Sequence, residues 1–280
     1  MNIAVLSGKG GTGKTMVSVN LAKVATSSTY IDCDVEEPNG HLYLKPENLI
    51  REEVSVLVPR CDPNICNGCR ECVRFCRFNA LAFSLDRLTV FSDMCHSCGG
   101  CSAICPQEAI TEHPRMIGYV ESGQSGDVCV RTGVMNIGEA AGLPIITRLL
   151  QSLSVPKKGI TFIDCPPGSS CSVMESIKNT DFCVLVTEPT VFGTHDLDLV
   201  VELVSILDKP FGVILNKNIE GELNPSEEYC LKKNIPIIGR IPFDRELSSL
   251  CSEARIASEE SARFKELFQN VLNNILETAG

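Results

Sequence analysis

At 280 residues, 44% hydrophobic and 21% charged, the sequence has the size and composition of a globular protein of one or two domains. A formal net charge of −10 argues against a nucleic-acid partner, which favours a basic surface. No apolar run reaches the ~20 residues that a bilayer-spanning helix needs, and MNIAVLSGKGG lacks the charged start and cleavage site of a secretory signal. The expectation is a cytoplasmic protein with no membrane anchor.

NIAVLS reads as a short buried strand that ends at a glycine-rich loop, Gly8–Lys9–Gly10–Gly11–Thr12–Gly13–Lys14–Thr15. The loop fits G-x-x-x-x-G-K-[ST]. Glycines let backbone N–H groups point at phosphate oxygens, Lys14 reaches the β- and γ-phosphates, and the Thr15 hydroxyl binds Mg²⁺. KTMVSVNLAKVAT follows with helical spacing, Val17, Leu21 and Val24 on one face, and its N-terminal dipole adds to the pull on phosphate. TYIDCD reads as a second strand, ending in Asp32 and Asp34. After Pro59 the texture becomes Cys-rich and turn-rich, and it changes back near Glu112. ITFIDCPPG, DFCVLVTEP, PFGVILNKN and PIIGRIPFD are further strand-like runs, with helical patterns such as HDLDLVVELVSILD between them.

That alternation predicts an α/β fold, a mainly parallel sheet with helices on both faces. The Cys-rich window interrupts it. The expected organisation is a first ATPase part over 1–59, a small α+β insert over 60–112, and a second ATPase part over 113–280. SARFKELFQNVLNNILETAG is amphipathic but poor in Lys and Arg, so it reads as a helix packed on the sheet and not as a membrane-surface helix.

Sixteen cysteines in a reducing compartment call for metal ligation or burial in place of disulfides. Eight fall in the window as a repeat. Cys66, Cys69, Cys72 and Cys76 recur 29 residues on as Cys95, Cys98, Cys101 and Cys105, and CRFNAL is matched by CPQEAI. C-x2-C-x2-C-x3-C places three thiolates on one cluster and sends the fourth to its neighbour. Two copies predict two [4Fe–4S] clusters with crossed ligation. Cys66, Cys69, Cys72 and Cys105 would hold the first; Cys76, Cys95, Cys98 and Cys101 the second. Zinc is the competing reading, although it favours two separated Cys pairs. The window resembles a bacterial two-cluster ferredoxin, except that Arg77 stands where the second run has Pro106. His96 is expected to shield the cluster and not to ligate it. The remaining cysteines, Cys61 among them, are expected mostly to be small buried hydrophobes.

Lys9 makes the loop more specific. K-G-G-x-G-K-T resembles the deviant Walker A loop of the MinD/ParA/nitrogenase iron protein class. The resemblance implies a nucleotide-sandwich dimer, with a second copy or a paralogue, in which Lys9 neutralises charge on the partner's ATP. Asp32-Cys-Asp34 resembles the switch I D-x-D, which implies that Asp34 orients the attacking water or a Mg²⁺-bound water. The implied catalytic residues are Lys9, Lys14 and Asp34. Asp32 itself reads equally as a catalytic carboxylate and as a capping or salt-bridged one. Asp164 in FIDCPPG resembles Walker B with the switch II turn, so Thr15, Asp34 and Asp164 would surround Mg²⁺. Asn216 in VILNKN and Pro242-Phe243 in GRIPFD resemble adenine-reading positions, although Asn216 also reads as a turn residue. With Gly8 to Met16 they complete the ATP-binding set.

Taken whole, the chain is similar over nearly its full length to the MinD/ParA/Mrp (CobQ/CobB/MinD/ParA) superfamily of P-loop ATPases that contain an inserted ferredoxin domain. This implies ATP or ADP, Mg²⁺ and two [4Fe–4S] clusters as cofactors, a slow dimerisation-dependent ATPase, and a redox or iron–sulfur partner protein. Nucleotide-gated electron transfer is the first functional expectation. The alternatives are an iron–sulfur assembly or carrier ATPase resembling the Mrp group, and a regulatory or positioning switch. Finally, Cys171 follows Asp164 by seven residues, like an interface-cluster ligand of nitrogenase iron protein, and Cys129 lies in GDVCVRTG, expected to be a loop. The pair either holds a shared cluster on a two-fold axis or consists of two unrelated thiols.

Overall fold

The structure is a computed structural model, and it describes residues 1–151, 159–219, 221 and 224–280. The strands in chain order are β1 (Asn2–Leu6), β2 (Thr29–Asp32), β3 (Glu47–Cys61), β4 (Leu81–Ser84), β5 (Arg87–Val90), β6 (Ile110–Ser125), β7 (Val128–Met135), β8 (Thr161–Asp164), β9 (Phe182–Thr187), β10 (Phe211–Asn218) and β11 (Ile237–Pro242). The helices are α1 (Lys14–Val24), α2 (Gly40–Leu44), α3 (Glu71–Phe75), α4 (Gly100–Ala103), α5 (Leu143–Leu150), α6 (Cys171–Ile177), α7 (Val191–Ile206), α8 (Pro225–Lys233), α9 (Arg245–Ser252), α10 (Ala257–Glu260) and α11 (Ala262–Ala279).

The main sheet runs β11-β10-β9-β1-β8-β2-β7-β6-β3. Every neighbouring pair from β11 to β7 is parallel, which makes the sheet mainly parallel as the alternation predicts. The last two pairs, β7–β6 and β6–β3, are antiparallel. Side chains alternate across the sheet with the two-residue strand period. Ile3 and Val5 meet one apolar layer with Phe162, Phe182 and Leu21 of α1. Ala4 and Leu6 meet the other with Ile145 of α5, Val173 of α6 and Val200 of α7. α11 buries Phe264, Phe268, Val271, Leu272 and Ile275 along one face, so the C-terminal helix packs on the sheet as expected. Each such side chain stabilises the fold by roughly 1.5–3 kcal/mol.

β3 and β6 are 15 and 16 residues long, against four to eight for the other strands of the sheet. They form a stem that carries the chain to the Cys-rich module and back. Arg60 pairs with Thr111 and Cys61 with Ile110, so continuous strands run through the points where the sequence texture changes. Beyond the stem lie α3, α4 and the separate β4–β5 hairpin. The sequence repeat is also a backbone repeat. Gly68, Arg70 and Asn79 have positive φ, and so do Ser97, Gly99 and Glu108, each 29 residues later. The module has a small apolar centre of Cys72, Leu81 and Ile110, with Cys61, Cys76, Cys101 and Cys105 packed against it. Cys33, Cys165, Cys183 and Cys230 are buried hydrophobes in a face of the main sheet, as expected. Cys61 is not one of these; it lies among the motif cysteines. Among the described residues no helix is long and apolar enough to cross a membrane.

Candidate nucleotide site and cysteine cradles

The loop between β1 and α1 is shaped by two left-handed residues, Gly11 (φ 79°) and Gly13 (φ 91°). A side chain at Gly13 would be strained by its φ, and its Cβ would lie 2.2 Å from Asn216 Nδ2. The loop borders a cavity of about 640 Å³ at the C-terminal ends of the parallel strands. Gly10 to Met16, Asp34, Asn216, Pro242 and Phe243 line it, together with Leu42, Tyr43, Lys217 and Leu247. Residues from the loop, the β2 turn and the ends of β10 and β11 therefore meet at one place. Asn216 is buried and its Nδ2 donates to Thr12 O at 2.6 Å, so it braces the loop while lining the cavity.

Gly8 and Lys9 stand outside that cavity. A Cβ on Gly8 would lie 2.2 Å from Asp196 O, so this glycine lets the α7 backbone approach the loop. Lys9 Nζ lies 3.4 Å from Glu188 of its own chain. Glu188 also pairs with Lys217, which donates to Gly11 O at 3.2 Å. Partial burial would push the Glu188 carboxyl up, but Lys217 and Lys9 together hold it below its ordinary value.

Beneath the loop lies a buried charge network. Lys14 Nζ is 3.0 Å from Asp164 Oδ1, with the two side chains 7% and 0% exposed. Tyr30 OH donates to Asp164 Oδ2 at 2.9 Å. Asp32 accepts from Gly40 N at 2.9 Å and from Asp34 N at 3.2 Å. Burial first, and then the Asp164 carboxylate, push Asp32 up to about 8. Burial pushes Asp34 up to about 6, against the pull of Lys14. Burial opposes the Lys14 charge, yet the three carboxylates together raise its pKa. Of the two readings of Asp32, the capping one matches its contacts, because it pins the turn that leads into α2. Asp164 does not line the cavity; it stands behind the loop, engaged by Lys14 and Tyr30.

Sequence reasoning missed Tyr30, Glu188, Lys217 and Tyr43. The signal for Tyr30 was present, because residues two apart on a strand share a face and Asp32 follows it.

The eight motif cysteines separate into two groups. Cys76, Cys95, Cys98 and Cys101 line one cavity of about 370 Å³ with Phe75, Phe78 and His96. Cys66, Cys69, Cys72 and Cys105 line a second, beside Phe83 and Leu88. The grouping is crossed: each run sends its fourth cysteine to the other run's group. His96 stacks on Phe78 with centroids 3.8 Å apart and planes at 19°. Ser97 N donates to Cys95 Sγ at 3.4 Å. All sixteen thiols are free. Among the described residues no three His, Cys, Asp or Glu side chains converge as a single ion would need. Two groups of four free thiols have the donor chemistry that iron–sulfur clusters take, and the cavities they line are unequal, about 370 and 20 Å³.

Cys129 and Cys171 do not come together, and the expected loop at Cys129 is a strand. Cys129 is the second residue of β7 and pairs with Thr29 at the start of β2. Thr29 also pairs with Thr161, the end of β8 opposite Asp164. Cys171 opens α6, after the Asp164 end. The two thiols lie at opposite ends of the parallel strands of one chain.

The CobQ/CobB/MinD/ParA nucleotide binding domain matches residues 3–255. The chain belongs to this family. Among curated relatives, the uncharacterized protein MJ0579 of Methanocaldococcus jannaschii is 31% identical, over 78% of this chain and 80% of its own length. MJ0578 of the same organism is 27% identical over 99% and 97%. An iron-sulfur cluster carrier protein of Methanococcus maripaludis is 24% identical over 98% and 84%. Among solved structures, the cell division ATPase MinD of Pyrococcus furiosus superposes with a TM-score of 0.61 at 18% identity, over 99% of this chain and 98% of that one. MinD of Pyrococcus horikoshii, in complex with Mg-ADP, gives 0.61 at 19% identity, over 100% and 97%. The fold is that of MinD-type α/β proteins. The MinD/ParA family is one of ATPases.

Proposed function

We propose that this protein is an ATP-hydrolysing iron–sulfur protein in which nucleotide state gates electron transfer through two [4Fe–4S] clusters. The observation that carries the reading is the crossed grouping of eight free thiols, in a module that β3 and β6 of the phosphate-loop sheet carry. Residues 1–59 and 113–280 supply the ATPase, and 60–112 the cluster module.

In the ATPase, Gly10 to Thr15 hold the phosphates with backbone N–H groups. Lys14, its ammonium already buried, would turn from Asp164 to the phosphate oxygens. Thr15 and Asp34 would bind Mg²⁺, with Asp164 acting from behind them. Asn216, Pro242 and Phe243 take the adenine. Lys9 leaves Glu188 and crosses to the nucleotide of a second copy or a paralogue. The Mg-ADP complex of the horikoshii protein supports a nucleotide and a magnesium ion at this site.

In the module, Cys66, Cys69, Cys72 and Cys105 would hold one cluster and Cys76, Cys95, Cys98 and Cys101 the other, each supplying a one-electron carrier. The Ser97 N–H favours the thiolate of Cys95. The His96–Phe78 stack borders the second group. A continuous run of contacts joins the two sites. Met135 N donates to Val35 O, next to Asp34, and Asn136 N donates to Ile117 O on β6, both at 2.9 Å. On β6, Arg115 grips Glu139 through two 2.7 Å bonds and lies 3.6 Å from Asp93, two residues before Cys95. A redox or iron–sulfur protein in the cytoplasm would be the electron partner.

Anaerobic reconstitution tests the reading: about eight irons per chain are expected, with Mg·ADP bound by the same sample. Iron near zero, or a single tightly bound zinc, would refute it. The name of the Methanococcus maripaludis relative favours a second reading, a carrier that hands its cluster on. Ligands drawn from two separate runs favour retention. Transfer of iron to an apo-ferredoxin within minutes would select the carrier.

A further inference from the structure

The short helix α2 borders two cavities. Leu42 and Tyr43 line the nucleotide cavity, whereas His41 and Lys45 line a second one of about 170 Å³. His41 and Lys45 stand four residues apart, which puts them on one face of a helix. Lys45 ends α2 in the left-handed region (φ 45°) and donates its N–H to His41 O at 2.9 Å, so the two are held together. The sheet supplies the opposite wall. Strand pairing sets Arg51 of β3, Glu121 of β6, Thr132 of β7 and Asp32 of β2 side by side, and residues directly opposite one another project to the same face. Glu121 and Thr132 of this row line the cavity, with Val130 two residues before Thr132 on the same face.

Both carboxylates of the row are engaged. Asp32 accepts from Gly40 N, and Glu121 Oε1 accepts from Arg51 Nε at 3.0 Å and from Nη2 at 2.6 Å. Thr132 differs. It is 3% exposed, and its Oγ1 has no hydrogen-bond partner among the described residues. His41 Nδ1 is likewise a buried atom without a partner among them. Lys45 is exposed and forms no ion pair among the described residues. A buried polar atom left unpaired costs free energy that a matching ligand returns. The donors here are the Thr132 hydroxyl, the His41 Nδ1–H tautomer and the Lys45 ammonium. They suit a carboxylate, which only accepts and offers about four lone-pair positions. Lys45 and Arg51 against Glu121 leave one positive charge in excess, as a monoanion requires. Pro46, Leu49 and Val130 make the rest of the wall apolar, as a short hydrocarbon tail requires. The volume is roughly six times the ~30 Å³ that one water occupies in the liquid, enough for about four carbons. We infer that this cavity binds a short-chain monocarboxylate, held by Thr132, His41 and Lys45. The site is separate from the nucleotide cavity and from both cysteine groups.

The test is calorimetric titration of the full chain with sodium butyrate. The protein is saturated with Mg·ADP, which closes the nucleotide cavity to the probe, and sodium chloride of equal ionic strength gives the baseline. Saturable binding at one site per chain is expected. Thr132→Val, which removes the hydroxyl and keeps the shape, should weaken it about tenfold or more. Thr132→Ser should keep most of it, and Lys45→Met, at an exposed cation, should weaken it about two- to fivefold. Butyramide, which has the same tail and no charge, should bind at least tenfold more weakly than butyrate. Thermal unfolding without butyrate checks that each variant is folded; if Thr132→Val is not, Lys45→Met and butyramide carry the test. Heats that rise without saturation would overturn the site. Butyrate affinity unchanged in Thr132→Val and Lys45→Met would overturn its location, and butyramide binding as tightly as butyrate would overturn the ligand class. Should the chain bind no ADP, the nucleotide reading fails, and the same titrations of the nucleotide-free variants still decide this one.

Discussion

Lys14→Met isolates the buried charge network under the phosphate loop. The methionine has a similar length and no charge, so little cavity forms. What is lost is the cation 3.0 Å from Asp164, in a place where the two side chains are 7% and 0% exposed. Breaking a buried pair on one side costs about 3–5 kcal/mol, because the abandoned charge has no partner of equal strength. At roughly 2–4 °C per kcal/mol for a chain of this size, the midpoint should fall by about 6–20 °C. The pH dependence gives the diagnostic sign. Asp32 and Asp34 are carboxyls raised to about 8 and about 6; Lys14 restrains Asp34, and after the Gly40 N–H it also restrains Asp32. A raised carboxyl costs nothing below its unfolded pKa near 4, and its cost grows as pH rises toward the folded value. Without Lys14 both values climb further, so the deficit against wild type should be small at pH 4.5 and largest near pH 8. Urea unfolding at those two values, without nucleotide, reads it directly. A deficit below about 1 kcal/mol, or one that is equal at both pH values, would refute a network held by Lys14.

Mg²⁺-dependent nucleotide binding should strengthen about tenfold between pH 5 and pH 7 as Asp34, at about 6, gives up its proton; calorimetry in Mg²⁺ and in EDTA checks it, and Asp34→Asn should flatten the profile. Gly40→Ala places a Cβ 2.1 Å from Tyr30 OH and breaks its bond to Asp164, which should destabilise the protein by about 1–3 kcal/mol in thermal unfolding. Glu188→Gln removes the carboxylate that retains Lys9, so ATP-dependent dimerisation, read by light scattering, should need less ATP, whereas Lys9→Ala should abolish it. Arg115→Gln cuts the contact between β6, Glu139 and Asp93, and should leave iron content and ADP binding near wild type while reducing any effect of nucleotide on the cluster potentials.

The phosphate loop and the cysteine grouping were legible because both are local. A run of glycines before Gly13-Lys14-Thr15 fixes a backbone shape within eight residues, and the 29-residue repeat carries its own left-handed turns at Gly68 and Ser97. The strands around Asp32 and Asp164 were legible for the same reason, since each is a short apolar run that ends in its carboxylate. The stem was not. ENLIREEVSVLVPRC is mostly exposed, so no apolar period marks it, and it is a strand because its backbone pairs with β6. Cys129 was misplaced because the glycines flanking GDVCVRTG suggest a loop, whereas Gly126 only makes the turn and β7 starts at Val128. Glu188 owes its place to Lys9 and Lys217, partners far along the chain, and no spacing rule finds such pairs.

The central claim is that nucleotide state reaches the clusters. An anaerobic redox titration followed by EPR, with Mg·ATP, with Mg·ADP and with neither, tests it most directly. The account predicts two one-electron signals, at least one of which moves by tens of millivolts between the ATP and ADP states; each 59 mV corresponds to a tenfold shift in the reduced-to-oxidised ratio. Two intact clusters whose potentials are the same in all three samples would contradict it.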